Sequence, residues 1–458
     1  MKVLLIVPPF YRLWGGHNNW VMLGTGYVAA ELKQRGYDVK VYNADHVENG
    51  TEINLRQVFS GTVDGGHRLA GHPKHAIWRE IQRTVESCDP DVVGISVNYV
   101  TVVPVANRIA QNIKKWRMEV PVIYGGNNVT LMPEYSVAHD AVDFGITFEG
   151  EYPMVNLMDQ FSGRFGLLDP TDIPNLVWKD GKHVHVNEPR QLIEDLDALP
   201  FPELENQLVP LKDVNNFGVV VTSRGCPYGC TFCSSPALWE RRVRFRSVVN
   251  VVDEMEWRNK EYGVNRFYVN DDNFNIRRKR TIDLCEMMTK RVPDVEWICE
   301  AQLRNFDEQT LWAMKAAGCV RVKLGVESGN DRVLQLMKKP FDLATIREKI
   351  ELVKRVGIPM TIYALIGYPT ETREEMLETL RLMEWADPEY VSLSVAAPQP
   401  RTPLYDYAVE HGLWMEEDFF NRSHQSYRSA LNPNVDQGII DLFLDFNEKK
   451  NYARKVMT

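Results

Sequence analysis

The sequence predicts an α/β chain in two parts: an N-terminal doubly wound, Rossmann-like parallel sheet, then a partial (β/α)6 barrel of the TIM type followed by a small, mainly helical C-terminal region. Three observations predict this. Short β-rich runs alternate with helical segments from Lys2 to about Glu151, a second alternation starts at Val219 and runs through six strands, and between them the pattern lapses into Pro-punctuated chain. At 458 residues the chain also exceeds one ordinary core, since domains run to about 150 residues each.

In the first part the strands expected are Val3–Val7, Val39–Tyr42, Val92–Val97, Val122–Tyr124 and Phe144–Thr147, with helices near Gly24–Arg35 and Val105–Trp116. Gly36 ends the first helix as a left-handed residue past a helix C-terminus does. Residues 48–88 break the alternation and read as an insertion with some helix. Next, DIPNLVWKDGKHVHVNEP predicts a hairpin over Asp180-Gly181, and DLDALPFPEL an extended segment, together a packed linker. The barrel strands are Val219–Thr222, Arg266–Asn270, Glu296–Gln302, Val320–Val326, Met360–Ile366 and Tyr390–Ala397. Helices near 248–261, 278–291, 307–317, 343–356 and 373–385 separate them, two units short of a full barrel. The expected domains are 1–151, 152–215 (linker with hairpin), 216–400 and 401–458, the last placed to cover one barrel end.

Composition narrows the function. The chain is 44% apolar and 25% charged without low-complexity tracts, so it folds. A net charge of −9 makes nucleic acid a poor partner. The one dense basic run, Arg241, Arg242, Arg244 and Arg246, reads either as a pairing site for a cofactor phosphate or carboxylate or as a solvated, salt-bridged loop. MKVLLIVPPF is too short for a signal segment and reads as a first buried strand, and no apolar window is long enough to span a membrane, so a cytoplasmic location is expected. Three of the seven cysteines fall within eight residues, which reducing cytosol assigns to metal or redox chemistry and not to disulfides.

That cluster is SRGCPYGCTFCSS, with Cys226, Cys230 and Cys233 placed after the first barrel strand, at the end where barrels do chemistry. A closed zinc site would need a fourth Cys or His at similar spacing, and the next cysteine, Cys285, lies far downstream in a helical pattern. Three thiolates on a cubane leave one iron without a protein ligand. Gly225 and Gly229 let the backbone wrap closely, and Phe232 offers a flat apolar face.

The loop and its six-unit barrel resemble the radical S-adenosylmethionine superfamily. The resemblance implies a [4Fe-4S] cluster on Cys226, Cys230 and Cys233 whose open iron binds S-adenosylmethionine. One-electron reduction, from a donor such as flavodoxin or ferredoxin, then yields methionine and a 5′-deoxyadenosyl radical. Strand parity turns Lys323, Gly325 and Glu327 inward, opposite Val320, Val322, Leu324 and Val326; it likewise turns Glu300, Gln302 and Arg304 inward, opposite Trp297, Cys299 and Ala301. By the resemblance Phe232, Gln302, Arg304, Glu327, Ser328, Ile366 and Gly367 contact S-adenosylmethionine. Asp271, Asp272 and Asn273 are carried over by position alone, where many members have Gly-Gly-Glu. Tyr363 reads as an inward hydrogen or proton relay or as a core tyrosine.

No Gly-x-Gly-x-x-Gly follows Val3–Val7, which disfavours a dinucleotide in the N-terminal sheet. GISVNYV and PVIYGGNN instead resemble a cobalamin-binding domain, with Ser96, Asn98, Gly125 and Gly126 implied to hold the cobalamin. His17 lacks the Asp-x-His-x-x-Gly surroundings of a cobalt ligand, so cobalt is expected without a protein histidine. Residues 1 to about 400 thus resemble cobalamin-dependent radical S-adenosylmethionine enzymes, which implies methyl transfer from methylcobalamin to an unactivated carbon. The alternatives are an oxidative cyclase or ring rearrangement, and a non-catalytic cobalamin sensor or carrier, which leaves the cysteines no task. The acceptor is a small molecule, a lipid or a protein side chain.

Overall fold

The structure is a computed structural model, describing residues 1–14, 22–47, 75–163, 169–188, 192–203, 218–413 and 431–457. His17 and residues 48–74 lie outside the described residues. Two compact units divide between residues 215 and 216.

The N-terminal unit carries β1 (Lys2–Val7), β2 (Asp38–Asn43), β3 (Val92–Ser96), β4 (Val122–Gly125), β5 (Phe144–Ile146), β6 (Leu176–Asp180) and β7 (His183–Val186) in one sheet, order β2-β1-β3-β4-β5-β6-β7. Its helices are α1 (Leu23–Gln34), α2 (Ala76–Cys88), α3 (Val103–Trp116), α4 (Asn127–Leu131), α5 (Pro133–Val137) and α6 (Glu151–Phe161). β1 to β5 are parallel, and β1 reads as an unbroken apolar run because both of its faces are covered. Leu4, Ile6, Val93 and Ile95 pack with Ile81 and Ile109 on one side; Val3, Leu5, Val39 and Val41 pack with Leu32 and Leu157 on the other. Chain order reverses between β1 and β3, the doubly wound topology expected. Gly36 is left-handed, with φ of 87°. The hairpin over Asp180-Gly181, read as part of a linker, instead extends this sheet: β6 runs antiparallel to β5, and β7 to β6.

The second unit holds β8 (Gly218–Val220), a short antiparallel pair β9 (Ser223–Arg224) and β10 (Arg244–Phe245), and then β11 (Arg266–Val269), β12 (Glu296–Ala301), β13 (Cys319–Glu327), β14 (Met360–Ile366) and β15 (Tyr390–Val395). The six main strands are parallel in the order β15-β14-β13-β12-β11-β8, an open sheet that is the partial barrel expected. Helices α7 (Ser235–Trp239), α8 (Val248–Tyr262), α9 (Arg278–Arg291), α10 (Glu308–Ala316), α11 (Asp331–Leu336), α12 (Leu343–Val356) and α13 (Arg373–Ala386) connect them. Ser247, Asp307, Asp342 and Thr372 cap four of these helices by accepting backbone N–H groups, which is why the sequence starts them where it does.

Two irregularities in β13 escape parity. Trp297 pairs with Cys319 but Ile298 with Arg321, so Cys319 takes the helix-facing place assigned to Val320. A second shift follows Gly325 and leaves Glu327 with φ of 72°. The C-terminal region divides: α14 (Pro403–Glu410) reaches the cysteine loop, while α15 (Gln437–Met457) packs on β15 and α13 instead of over a barrel end. No helix among the described residues is long and apolar enough to cross a membrane.

Candidate functional site

The cysteine loop is held from several sides. Asp271, at the end of β11, accepts from Thr222 N and Oγ1 (both 2.6 Å) and from Ser223 N (3.0 Å) and Oγ (2.7 Å). Both of its oxygens are thereby committed to the chain, so Asp271 anchors the loop in place of the S-adenosylmethionine contact that position alone had suggested. Asp272 Oδ2 accepts Gly225 N at 2.9 Å, and enclosure by protein raises its pKa although part of its surface stays open. Gly225 has φ of 101°, and a Cβ there would stand 2.0 Å from the Arg242 carbonyl, so no other residue fits. On the far side Thr231 N donates to Met337 O at 3.0 Å, Thr231 Oγ1 lies 2.7 Å from Tyr368 OH, and Leu404 N donates to Thr231 O at 3.0 Å.

Burial raises the pKa of all three thiols, that of Cys233 to about 12, so without iron they hold their protons; binding a cluster releases those protons. Among the described residues no three Cys, His, Asp or Glu side chains converge as the ligands of one ion do. Asn273, buried, bonds to Cys226 while its Oδ1 has no partner, an orphaned acceptor next to the cluster position.

Glu327 reaches the same end of the barrel, where Lys339 Nζ donates to its Oε1 at 3.2 Å. The ammonium also lies 5.9 Å from the Phe232 ring, and its charge draws down the Cys230 pKa against burial. Sequence reasoning missed Lys339, which lies after α11 and outside any strand parity. Gln302 is buried at the end of β12, its backbone clasped by Asn275 (2.8 and 3.0 Å).

Other assignments need correction. Arg304 is exposed, because the chain leaves β12 at Ala301 and turns into a short 3-10 helix, so parity no longer applies to it. Ser328 is buried, its Oγ 3.4 Å from Thr379 Oγ1 and accepting from Asn330 N, and so is engaged in the helix layer, not at the cofactor contact that the resemblance implied. The Ile366 side chain is fully buried and its carbonyl accepts Ala396 N; Gly367, with φ of 76°, donates its N–H to Glu371. The Ile366 carbonyl and the Gly367 N–H are thus committed to the chain. Arg244 and Arg246 of the basic run are buried as well, Arg246 Nη1 donating to Glu254 at 2.5 Å, which makes that half of the run a structural network.

Tyr363 points inward, into a group of four side chains from four strands. Glu300 Oε1 accepts from Tyr268 OH (2.5 Å), Tyr363 OH (2.9 Å) and Lys323 Nζ (3.2 Å), with the ammonium 4.2 Å from the Tyr268 ring. Burial and the Glu300 charge raise both phenol pKa values, so both tyrosines stay protonated.

Glu371 gives a pH test of this end of the barrel. Burial pushes its pKa up to about 7 against the pull of the Tyr368 and Gly367 N–H groups. The folded chain then holds a proton that the unfolded chain has already released, so stability falls as pH rises from the ordinary carboxylate range to about 7 and levels off above it. Thermal melts from about pH 5 to 8 should show a smaller fall for Glu371→Gln than for wild type, by on the order of 2 kcal/mol. Parallel pH profiles for the two chains would remove this assignment.

In the N-terminal unit, Ser96, Asn98 and Gly125 meet at the carboxyl ends of β3 and β4. Asn98 Nδ2 donates to Ser96 Oγ at 3.2 Å, and Asn98 Oδ1 accepts Asn127 N at 3.4 Å. A Cβ on Gly125 would meet nothing within 4 Å among the described residues, so the strand end is open at this position. Gly126 differs: a Cβ there would stand 2.6 Å from Asn98 Oδ1, so this glycine makes room for Asn98.

Residues 220–383 match the radical SAM superfamily, and residues 17–158 match the B12 binding domain. An uncharacterised methyltransferase of Pyrococcus horikoshii, PH0819, is 30% identical over 423 residues, covering 90% of this chain and 84% of that protein. The chain belongs to the cobalamin-dependent radical S-adenosylmethionine enzymes. A [4Fe-4S] cluster, S-adenosylmethionine and cobalamin are the cofactors of this enzyme. An anaerobic magnesium-protoporphyrin IX monomethyl ester cyclase of Rubrivivax gelatinosus is 26% identical to it over 422 residues, covering 88% of this chain and 69% of that one. The fold of the enzyme is that of TsrM from Kitasatospora setae, a radical S-adenosylmethionine methyltransferase solved with cobalamin and a [4Fe-4S] cluster (TM-score 0.71, 19% identity, covering 90% of this chain and 78% of that one).

Proposed function

We propose that the enzyme transfers a methyl group from methylcobalamin to an unactivated carbon after hydrogen abstraction by the 5′-deoxyadenosyl radical. The observation that carries this reading is a loop of three cysteines with an orphaned acceptor, Asn273 Oδ1, beside it, in a chain whose residues 17–158 also match the B12 binding domain. The resemblance to PH0819 supports methyl transfer, and the resemblance to the cyclase supplies the competing reading.

When bound, the cofactors supply the radical and the methyl group; the chain binds and orients them. Cys226, Cys230 and Cys233 would hold three irons. Asn273 Oδ1 would accept from the ammonium of S-adenosylmethionine, and Lys339, steadied by Glu327, would face its carboxylate. Phe232, Gln302, Ile366 and Gly367 would shape the rest of that site, Asp272 would keep the loop folded over it, and Ser96, Asn98 and Gly125 would line the cobalamin crevice. Tyr363 acts as a fixed donor to Glu300, holding the barrel interior polar and its own proton in place.

The test needs no acceptor. Reduced, cobalamin-loaded enzyme given methyl-deuterated S-adenosylmethionine should form S-adenosylhomocysteine and deuterated methylcobalamin. Release of 5′-deoxyadenosine alone, with cobalamin never methylated, would sink methyl transfer and favour the cyclase.

A further inference from the structure

Three cations on the outer side of the cysteine loop find no carboxylate among the described residues. Arg241, exposed, lays its guanidinium on Gly229, where an added Cβ would stand 2.6 Å from Nη2. Arg304, exposed, reaches only the Pro340 carbonyl, at 3.4 Å, and the neighbouring Asn305 accepts the Tyr228 hydroxyl at 3.4 Å. Lys338, exposed, follows Met337, whose carbonyl takes the Thr231 N–H. Gly229, Tyr228 and Thr231 are interleaved with the three cysteines, so Arg241 touches the loop directly while Arg304 and Lys338 each adjoin a residue bonded to it. Pro227 and Leu336 add exposed apolar surface.

This cationic rim stands out on a chain of net charge −9, most of which repels an acidic protein. A carrier that must bring an electron to the cluster gains most from attraction placed where transfer is shortest. We propose that Arg241, Arg304 and Lys338 form the docking surface for a small acidic protein that delivers single electrons. This rests on the reading that Cys226, Cys230 and Cys233 hold the cluster. Cations around an apolar patch steer encounter and fix orientation, and their effect is screened by salt.

The probe is flavodoxin hydroquinone, mixed anaerobically with cluster-loaded full-length enzyme while bleaching of the cluster absorbance is followed. Photoreduced deazaflavin, small and uncharged at its ring, serves as the carrier-free reductant. The triple variant Arg241→Glu/Arg304→Glu/Lys338→Glu should be reduced by flavodoxin at least about tenfold more slowly at low ionic strength, with the gap closing as salt rises. Deazaflavin should reduce both chains equally, and Lys182→Glu, exposed on the β6–β7 turn, should match wild type. Wild-type rates for the triple variant with flavodoxin at every salt concentration would overturn the proposal. So would equal slowing with deazaflavin, which would mean that the rim shapes the cluster and does not dock a partner. Failure of the wild-type chain to take up a cluster would instead remove the reading on which the proposal rests.

Discussion

Replacing any one of Cys226, Cys230 and Cys233 by alanine should empty the cluster site and abolish cleavage of S-adenosylmethionine. All three thiols sit in surroundings that raise their pKa, so a thiolate is tolerated there only against iron. Losing one ligand leaves a cubane on two residues, with the carboxylate of Asp272 nearby and no further cysteine in the loop. Since changes merely behind a metal ligand cost about 10–100-fold in affinity, loss of a ligand should cost more. Iron and sulfide content, together with 5′-deoxyadenosine release, measure it. Cys285, Cys299 and Cys319 are the internal control: they are buried against one another on the helix side of β12 and β13, and their alanine variants should keep the iron. Full iron content and cleavage in Cys226→Ala would end the radical reading of this chain.

A second large effect is expected away from the chemistry, at Glu254→Ala. Glu254 on α8 is fully buried between two arginines, accepting from Arg246 and from Arg258. Those arginines also donate to the carbonyls of Val221 (2.9 Å) and Val219 (2.6 Å), so the network ties the strand leading into the cysteine loop to its covering helix. Without the carboxylate, two buried guanidinium groups lose the acceptor they share, and breaking such a pair costs about 3–5 kcal/mol. Urea unfolding should show the transition of the C-terminal unit shifted by that amount or lost, while the N-terminal unit unfolds as before, so the two must be followed separately. A change under about 0.5 kcal/mol, the range of ordinary surface substitutions, would show that the network is not held as described.

Local pattern made the fold legible and long-range partnership hid much of the site. The apolar runs of β1, β3, β12 and β14 announce strands because a face must be buried wherever the strand ends up, and the cysteine spacing is its own signal. Asp271 looked like a ligand because position alone does not show that Thr222 and Ser223, nearly fifty residues earlier, saturate it. Arg304 was misplaced for a related reason: parity holds only while the strand lasts, and it lies beyond the end of β12. Ser328 was carried over with Glu327 by resemblance, which does not show that Thr379 and Asn330 draw it into the helix layer. Lys339 was invisible since nothing in its neighbours says that it will fold back over Phe232 to Glu327. The hairpin was seen as a hairpin, but its pairing with β5 depends on an edge that periodicity cannot reveal.

Asp271, Asp272, Met337 and Leu404 tether the cysteine loop from elements far from it in sequence. A substitution at any of these tethers would therefore disturb the thiols without touching a cysteine, so the chain can lose its chemistry at positions that carry none of it.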